Sequence, residues 1–399
     1  MLEWFGSRPP VDVAQRPALV NRALFMVFVA AFGAMVSFYL LLSVVALYAT
    51  SAGAGGVGAG LTTGALMLST VVAELAAPRL IARFGYRLVF GTGLLLLGAP
   101  ALALIASANL AVILAVCLVR GVGFAIIVVA GSALVASLVP EARRGEGLGL
   151  YGVIVGVPAI VALPLGVWLV SRVGFPPVFI AGGLASLAGL VVIAALPGRK
   201  PQLEPALGFI AGLRRPALLR PAIVFATTAM AAGVVVTFLP LAVPNASGDL
   251  AALGLLVHSA AATVARWFAG RYGDYHGQAR LLLPSVVAAA IGMLALVLIT
   301  NPVAVLAGMV LAGAGFGVAQ NASLALMFDR VSPRGYDAVS ALWNLTYDAG
   351  LGIGAAGFGV LAAQAGYAPA FAVTAALMLV VLVPAWRNRA WLTPADEER

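Results

Sequence analysis

The sequence predicts an all-α polytopic membrane protein whose twelve transmembrane helices form two pseudo-symmetric six-helix bundles. An apolar composition, long apolar runs and an internal repeat support this prediction. Hydrophobic residues make up 63% of the 399 residues and charged residues only 9%, against roughly 45–50% and 25% in soluble domains. A soluble core of this length cannot remove so much apolar surface from water, so most of the chain has lipid as its solvent.

The apolar runs have the length that spanning helices need. The runs 88–107 and 281–300 reach the ~20 residues of a membrane-spanning helix, whereas a barrel strand would show about ten residues with strict alternation. Reading such runs between polar, glycine-rich or proline-rich segments predicts twelve spans, at residues 23–49, 57–77, 88–107, 109–139, 147–170, 176–196, 219–243, 250–270, 281–300, 302–327, 338–362 and 368–386.

Basic residues are concentrated in every second connection. Of the 23 Lys and Arg residues, 21 lie in the terminal segments or in these connections, and the intervening connections carry only Arg172. By the positive-inside rule, we expect both termini and the connection 197–218 in the cytoplasm. The net charge of +9 therefore reports orientation, and we expect no nucleic-acid partner.

The longest connection, 197–218, contains four prolines and divides the spans into six plus six. Its composition is typical of a linker between domains. We therefore predict an N-terminal bundle at 1–196, a cytoplasmic linker at 197–218 and a C-terminal bundle at 219–399.

Cysteine and histidine usage argues against metal and disulfide chemistry. Cys117 has no second cysteine to pair with, and His258 and His276 form no cluster with other potential ligands. No nucleophile and base pair lies near a predicted membrane face either. The sequence therefore predicts neither an enzyme nor a metal or organic cofactor.

Residues 192 positions apart match across the two halves of the chain. The matches lie in one connection and one span of each half: Arg79 with Arg271, Gly85 with Gly277, Gly121 with Gly313, Gly123 with Gly315, and Phe124 with Phe316. Two six-span halves in the same orientation are typical of transporters whose substrate site lies between the halves near the bilayer midplane.

Two connections carry a motif at equivalent positions. They read Gly270-Arg271-x-x-Asp274-x-x-Gly277-x-x-Arg280 and, in degenerate form, Pro78-Arg79-x-x-Ala82-Arg83-Phe84-Gly85-Tyr86-Arg87. This motif resembles the signature cytoplasmic loop of the major facilitator superfamily, and the twelve predicted spans agree with that resemblance. The chain looks most like that superfamily's bacterial drug and sugar efflux permeases. The resemblance implies a cytoplasmic gate at Arg79, Gly85, Arg271, Asp274, Gly277 and Arg280.

The sequence departs from the family pattern at two places. The loop acid of the first half is replaced by Ala82, so the second copy with Asp274 would carry most of the gate. The family's arginine in the fourth span would fall at Cys117, whereas the arginine present is Arg120, one turn later.

Three of the charged residues within predicted spans are candidates for function, because a charge costs about 2.5–3.5 kcal/mol there. Glu74 and Asp348 are the two of 14 acidic residues well inside spans, and we predict that they couple transport to protons together with Arg120. Asp348 is expected near the midplane and Glu74 one turn from the cytoplasmic end of its span. Structural ion pairs or hydrogen bonds are the alternative for each, and Arg120 could instead anchor substrate.

Other polar and aromatic residues inside the spans are candidates for the cavity wall. They are Tyr39, Tyr151, His258, Gln320, Asn321, Asn344 and Tyr347, with Thr227 and Trp343 as further candidates. Packing is the alternative for His258, and an aromatic belt at the membrane interface is the alternative for tyrosine or tryptophan near span ends.

The resemblance implies a secondary active transporter that exports a small amphiphilic compound in exchange for protons by alternating access. Its partners would be that small-molecule substrate, protons and the lipid bilayer, with the proton gradient as energy source, and we expect a monomer. A proton symporter or facilitator for uptake of a small metabolite is one alternative, and a non-transporting membrane sensor is another.

Overall fold

Helices account for nearly all of the chain that the structure describes. The computed structural model describes residues 21–139, 143–193, 216–244, 248–331, 336–380 and 382, and no strand occurs within these ranges. A helix bonds its own backbone N–H and C=O groups, as lipid requires. These residues form twelve principal helices: α1 (Arg22–Ala49), α2 (Gly55–Phe84), α3 (Tyr86–Ala103), α4 (Leu110–Leu138), α5 (Arg144–Val173), α6 (Phe175–Leu187), α7 (Pro216–Ala242), α8 (Gly248–His276), α9 (Ala279–Ala295), α10 (Pro302–Phe328), α11 (Tyr336–Ala365) and α12 (Tyr367–Val380).

Each predicted span overlaps one of these helices, so the predicted fold class is confirmed. Ten stretches of the described chain are long and apolar enough to cross a membrane, and one of them, 22–84, contains both α1 and α2. A π-helical turn at Thr50–Ala54, in which Gly53 has a φ of 91°, separates these two helices. The described part of α12 is apolar but only 14 residues long.

The ends of the helices define two faces of the molecule. Arg79, Arg143, Arg271 and Arg330 lie at helix ends or connections on one side, which is termed the arginine-rich face. The opposite side, with the π-helical turn, is termed the arginine-poor face.

Two helices extend further toward the arginine-rich face than predicted. α8 continues to His276 instead of ending at 270, and α2 continues through Pro78 to Phe84 instead of ending at 77. A proline removes one backbone hydrogen bond from a helix, and the helix continues past it here. Glu74 therefore lies ten residues before Phe84, the last residue of α2.

Turns and caps repeat between the first half (α1–α6) and the second half (α7–α12). Gly85 and Gly174 have positive φ angles of 80° and 77°, and their counterparts 192 positions later, Gly277 and Gly366, have 87° and 84°. Such angles favour glycine, which allows each pair of helices to be joined within one residue or a few. The side chain of Asn109 caps α4, and its counterpart Asn301 caps α10 in the same way.

Close helix contacts repeat at the same offset. A Cβ atom on Gly121 of α4 would collide with the carbonyl oxygen of Leu66 on α2, and one on Gly313 of α10 would collide with that of His258 on α8. Leu66 and His258 are themselves 192 positions apart. Small residues allow this close approach between helices in lipid, and the predicted repeat therefore extends to individual backbone contacts.

The two halves meet along α1 with α7, α2 with α11 and α5 with α8. Buried hydroxyl groups join them toward the arginine-poor face: Ser43 Oγ donates to the Val236 carbonyl oxygen at 2.6 Å, and Thr63 Oγ1 lies 3.0 Å from Thr237 Oγ1. At the rim of the same face, Arg172 Nη2 lies 3.6 Å from Asp249 Oδ1.

The predicted linker at 197–218 lies outside the described residues except for its last three positions, which belong to α7. The domain limits 1–196 and 219–399 therefore stay a prediction.

Candidate functional site

A cavity of about 360 Å³ lies between the two halves, within the ~300–1,000 Å³ typical of small-molecule sites. Its wall contains side chains of α1, α2, α4, α5, α7, α8, α10 and α11. Nearly all of the residues predicted for coupling or for the cavity line it: Tyr39, Glu74, Tyr151, His258, Gln320, Asn344, Tyr347 and Asp348.

Glu74 and Asp348 meet across the two halves in the wall of this cavity. α2 supplies Glu74 and α11 supplies Asp348, which is only 3% exposed, and their carboxyl groups lie within interaction range of each other. Among the described residues, no donor bonds Glu74 Oε1, Glu74 Oε2 or Asp348 Oδ1. Ionised carboxylates are acceptors only, so a hydrogen bond between the two side chains requires that one carboxyl carry a proton.

Buried polar atoms without partners are concentrated around this cavity. In the part of the chain that the structure describes, Tyr151 Oη, His258 Nδ1 and Gln320 Oε1 lack hydrogen-bond partners, as do the carboxylate atoms of Glu74 and Asp348. Buried polar groups in folded proteins are nearly always bonded to protein or water. Five residues from five helices thus line one cavity and carry polar atoms without hydrogen-bond partners, as expected of a binding site.

Aromatic side chains of the second half form another part of the wall. Phe316, Trp343 and Tyr347 line the cavity, and Phe225 packs behind them, with its ring centroid 4.7 Å from that of Trp343 and the two planes at 11°. Trp343 Nε1 also donates to Ser323 Oγ at 3.1 Å. The cavity therefore combines a broad apolar surface with a few polar groups.

The sequence prediction missed Arg266 as a cavity residue, since it counted this arginine among those at the membrane face. Arg266 of α8 lines the cavity and is half-buried. The repeat contains the signal that could have found it, because Arg266 is the counterpart of Glu74. Phe124 and Phe316 were used only to establish the repeat, yet both line the cavity, as does Val128 opposite its counterpart Gln320.

Arg120 lies away from this cavity. Its side chain is 1% exposed and borders a separate void of about 10 Å³ between α1, α2 and α4. Its guanidinium donates to the carbonyl oxygens of Leu97 at 2.7 Å and Ser37 at 3.1 Å. Because these contacts join α4 to α3 and α1, the geometry favours the structural alternative for Arg120.

Asn321 and Thr227 also lie outside the cavity wall. Asn321 is close to Gly270 of α8, and the Thr227 hydroxyl donates to the Ile223 carbonyl oxygen of its own helix at 2.9 Å.

The predicted gate residues lie at the arginine-rich face. Arg79, Arg271, Asp274 and Arg280 are exposed, and none of the four forms an ion pair with another described residue. The guanidinium of Arg271 stacks over Trp267 at 5.1 Å. Gly85 and Gly277 form the turns that follow α2 and α8. Among the described residues, the predicted gate positions form a pair of repeated turns without an ion pair between them.

Solved structures of transporters share this fold. The nucleoside transporter NupG has a TM-score of 0.72 at 14% identity, covering 94% of this chain and 100% of that one. A POT family transporter in complex with 5-aminolevulinic acid has a TM-score of 0.77 at 13% identity, covering 94% and 97%. The xylose transporter XylE from E. coli, in a partially occluded inward-open conformation, has a TM-score of 0.72 at 13% identity, covering 94% and 98%.

No curated protein matches the chain in sequence. The sequence profile of the Major Facilitator Superfamily, however, matches residues 27–244 and 221–399, nearly the whole chain. The fold, the site between the halves and this match agree, and they confirm the prediction of a multi-pass membrane transporter without enzymatic activity. The chain belongs to the Major Facilitator Superfamily.

Proposed function

We propose that the protein exports a small amphiphilic compound in exchange for protons by alternating access. The observation that carries the proposal is the contact between Glu74 and Asp348, which joins α2 to α11 inside the cavity. A proton on one carboxyl allows a hydrogen bond across the halves. Loss of that proton leaves two adjacent carboxylates, which repel each other and weaken the contact between the halves.

Exchange of substrate for protons follows if the two ligands compete for Glu74 and Asp348. A substrate that binds the carboxyl groups favours their deprotonated form, and a proton favours the directly bonded pair. Each ligand then lowers the affinity for the other by the same factor, since coupling between sites is reciprocal. The two ligands also favour different arrangements of α2 against α11, so their alternate binding shifts the conformational equilibrium.

The wall of the cavity supports an amphiphilic substrate. Phe316, Trp343 and Tyr347 supply apolar surface, and Gln320 and Asn344 supply polar groups beside it. Binding sites for small molecules commonly combine such an apolar lining with a small number of polar contacts.

The distribution of arginines supports an orientation. We place the arginine-rich face in the cytoplasm and the arginine-poor face outside, because basic connections stay on the cytoplasmic side. The protein would then act as a monomer in a bacterial inner membrane, with the proton gradient as its energy source.

The test uses purified full-length protein in proteoliposomes with an entrapped pH-sensitive dye. A panel of amphiphilic compounds is added under an imposed pH gradient, and both compound and proton flux are measured. We expect opposite fluxes in the wild type and at least a tenfold loss of pH-driven exchange in Asp348→Asn and Glu74→Gln. Asp249→Asn, which removes an exposed carboxylate at the arginine-poor face, serves as the matched control.

Other outcomes select other functions. Wild-type exchange in Asp348→Asn would show that this residue does not couple the fluxes. Proton flux in the same direction as the compound would indicate a symporter, and compound flux independent of pH would indicate a facilitator. Binding without flux would favour a sensor.

A further inference from the structure

Arg266 differs from the arginines of the connections because its side chain enters the cavity wall. It lies ten residues before the end of α8 at His276, about 15 Å along the helix axis. Arg79, Arg271 and Arg280 are exposed at the arginine-rich face, whereas Arg266 is half-buried. A charged side chain at such a depth normally has a partner of opposite charge.

No carboxylate supplies that partner among the described residues. Arg266 forms no ion pair with any of them, Glu74 and Asp348 included. Tyr39 and Tyr347 line the same cavity as Arg266 and lie within electrostatic range of it. One guanidinium and two phenol donors therefore line one cavity, a set suited to an anionic group such as a carboxylate.

The acidic pair lines the same cavity. Asp348 is 3% exposed and its Oδ1 atom has no hydrogen-bond partner among the described residues, so the pair can accept N–H donors from a bound amine. Tyr39 and Tyr347 lie within electrostatic range of both Arg266 and Asp348. The tyrosines therefore lie near both the basic and the acidic subsite.

We infer that the cavity binds a zwitterionic amphiphile, with its acidic group on Arg266, Tyr39 and Tyr347 and its amine on Glu74 and Asp348. The aromatic body of such a compound would pack against Phe316 and Trp343. This inference rests on the proposed function and deepens it, because an amine on the acidic pair competes with the shared proton. Exchange with protons follows from that competition, and the acidic group supplies additional affinity and selectivity.

Binding to four indole compounds that differ in charge tests the inference. Radiolabelled tryptophan (zwitterion), tryptamine (cation), indole-3-propionate (anion) and N-acetyltryptophanamide (neutral) are equilibrated at pH 7 with the full-length protein in nanodiscs. We expect tryptophan to bind at least tenfold more tightly than each of the others. Weaker, equal or absent binding of tryptophan relative to the others would overturn the inference.

Variants assign the two subsites. Arg266→Gln should bring tryptophan and tryptamine to equal affinity, and Arg266→Lys should keep part of the preference for tryptophan, which shows that the site still folds. Arg22→Gln, at the exposed start of α1 and outside the cavity, should leave the order of affinities unchanged. An unchanged order in Arg266→Gln would also overturn the inference.

The outcomes separate this inference from the proposed function, since binding is measured without a pH gradient. Tight binding of tryptophan without opposite proton flux in proteoliposomes would contradict the exchange mechanism alone. Exchange of singly charged compounds that is insensitive to Arg266→Gln would contradict the zwitterion site alone.

Discussion

α5 and α11 occupy equivalent places in the repeat but present different walls to the cavity. Five residues of α11 line the cavity, and the counterpart of each on α5 lines it too: Tyr151 with Trp343, Gly152 with Asn344, Val155 with Tyr347, Gly156 with Asp348 and Ala159 with Leu351. The α11 side chain is the larger one in every pair. At these positions the first half therefore leaves open space, and the second half places larger and mostly polar side chains.

Positions that determine the turns and helix caps have the same residue in both halves. Gly85 and Gly277 have similar positive φ angles, and Asn109 and Asn301 cap equivalent helices. Backbone geometry must be the same in both halves for the bundles to pack alike, whereas the cavity needs different groups to bind an asymmetric ligand. The turns and caps thus keep the same residue at the 192-residue offset, whereas the differences between α5 and α11 mark candidate functional positions.

The largest expected effect is a loss of stability on substitution of Gly121 or Gly313, which make equivalent helix contacts in the two halves. Gly121→Val and Gly313→Val each place a Cβ atom against a carbonyl oxygen of the neighbouring helix. Overpacking of this kind lowers the free energy of unfolding by about 1–3 kcal/mol. Because the new side chain meets backbone atoms, which cannot move easily, we expect a loss at the upper end of that range. We expect both variants to lose folded protein to a similar extent, as measured by thermal unfolding in detergent.

The matched control for these variants is Gly152→Ala. A Cβ atom there has no neighbour within 4 Å, and alanine favours a helix over glycine by about 1 kcal/mol. The control should unfold at the same temperature as the wild type or higher. A large difference between Gly121→Val and Gly313→Val would contradict the equivalence of the two contacts.

The second prediction removes the asymmetry between α5 and α11. Gly156→Asp places a carboxylate at the counterpart of Asp348, where a Cβ atom meets nothing within 4 Å. Because Arg266 is the counterpart of Glu74, the new carboxylate faces Arg266 across α5 and α8. We expect an ion pair that occupies Arg266 and holds the halves together, with at least a tenfold loss of pH-driven exchange in proteoliposomes.

Gly156→Asn is the uncharged control, since it has nearly the same volume. It should retain more than half of the exchange activity. If both variants lose activity equally, the effect is steric, and the proposed placement of Arg266 opposite position 156 is wrong.

The sequence predicted the helices and most of the cavity residues for identifiable physical reasons. Helix positions follow from hydropathy, because lipid requires about 20 apolar residues for each span. Glu74 and Asp348 were found because a charge within a span is costly unless it faces the interior of the bundle. The repeat was found from residues that the turns and contacts constrain.

The direction in which each side chain points could not be predicted. Lipid and protein interior are both apolar, so a spanning helix has little hydrophobic asymmetry to indicate its rotation. Gln320 and Asn321 are neighbours in sequence, yet only Gln320 lines the cavity. The same limit applies to Arg120, which borders a void inside the first bundle, and to Arg266, which lines the cavity. Hydropathy also placed the end of α2 too early, just before Pro78.

The third prediction concerns Arg120, whose counterpart in the second half is Ala312. Arg120→Met removes two charge-assisted hydrogen bonds to α1 and α3 but also the cost of a buried charge. We expect a net loss of about 1 kcal/mol of stability, measured by thermal unfolding. Exchange per folded molecule should change less than twofold, and a tenfold loss would instead assign Arg120 to proton coupling.

The smallest expected effect lies at the rim of the arginine-poor face, where Arg172 and Asp249 join the two halves. Their side chains are 57% and 73% exposed, and exposed ion pairs contribute about 0–1 kcal/mol. Arg172→Gln should therefore change exchange less than threefold, with a still smaller effect above ~0.5 M salt because ions screen the pair. The double variant Arg172→Gln with Asp249→Asn should match the single one, since either change removes the same contact. A tenfold effect of Arg172→Gln would show that this pair controls the opening of the arginine-poor face, and that the asymmetry between the halves extends beyond the cavity to their rim.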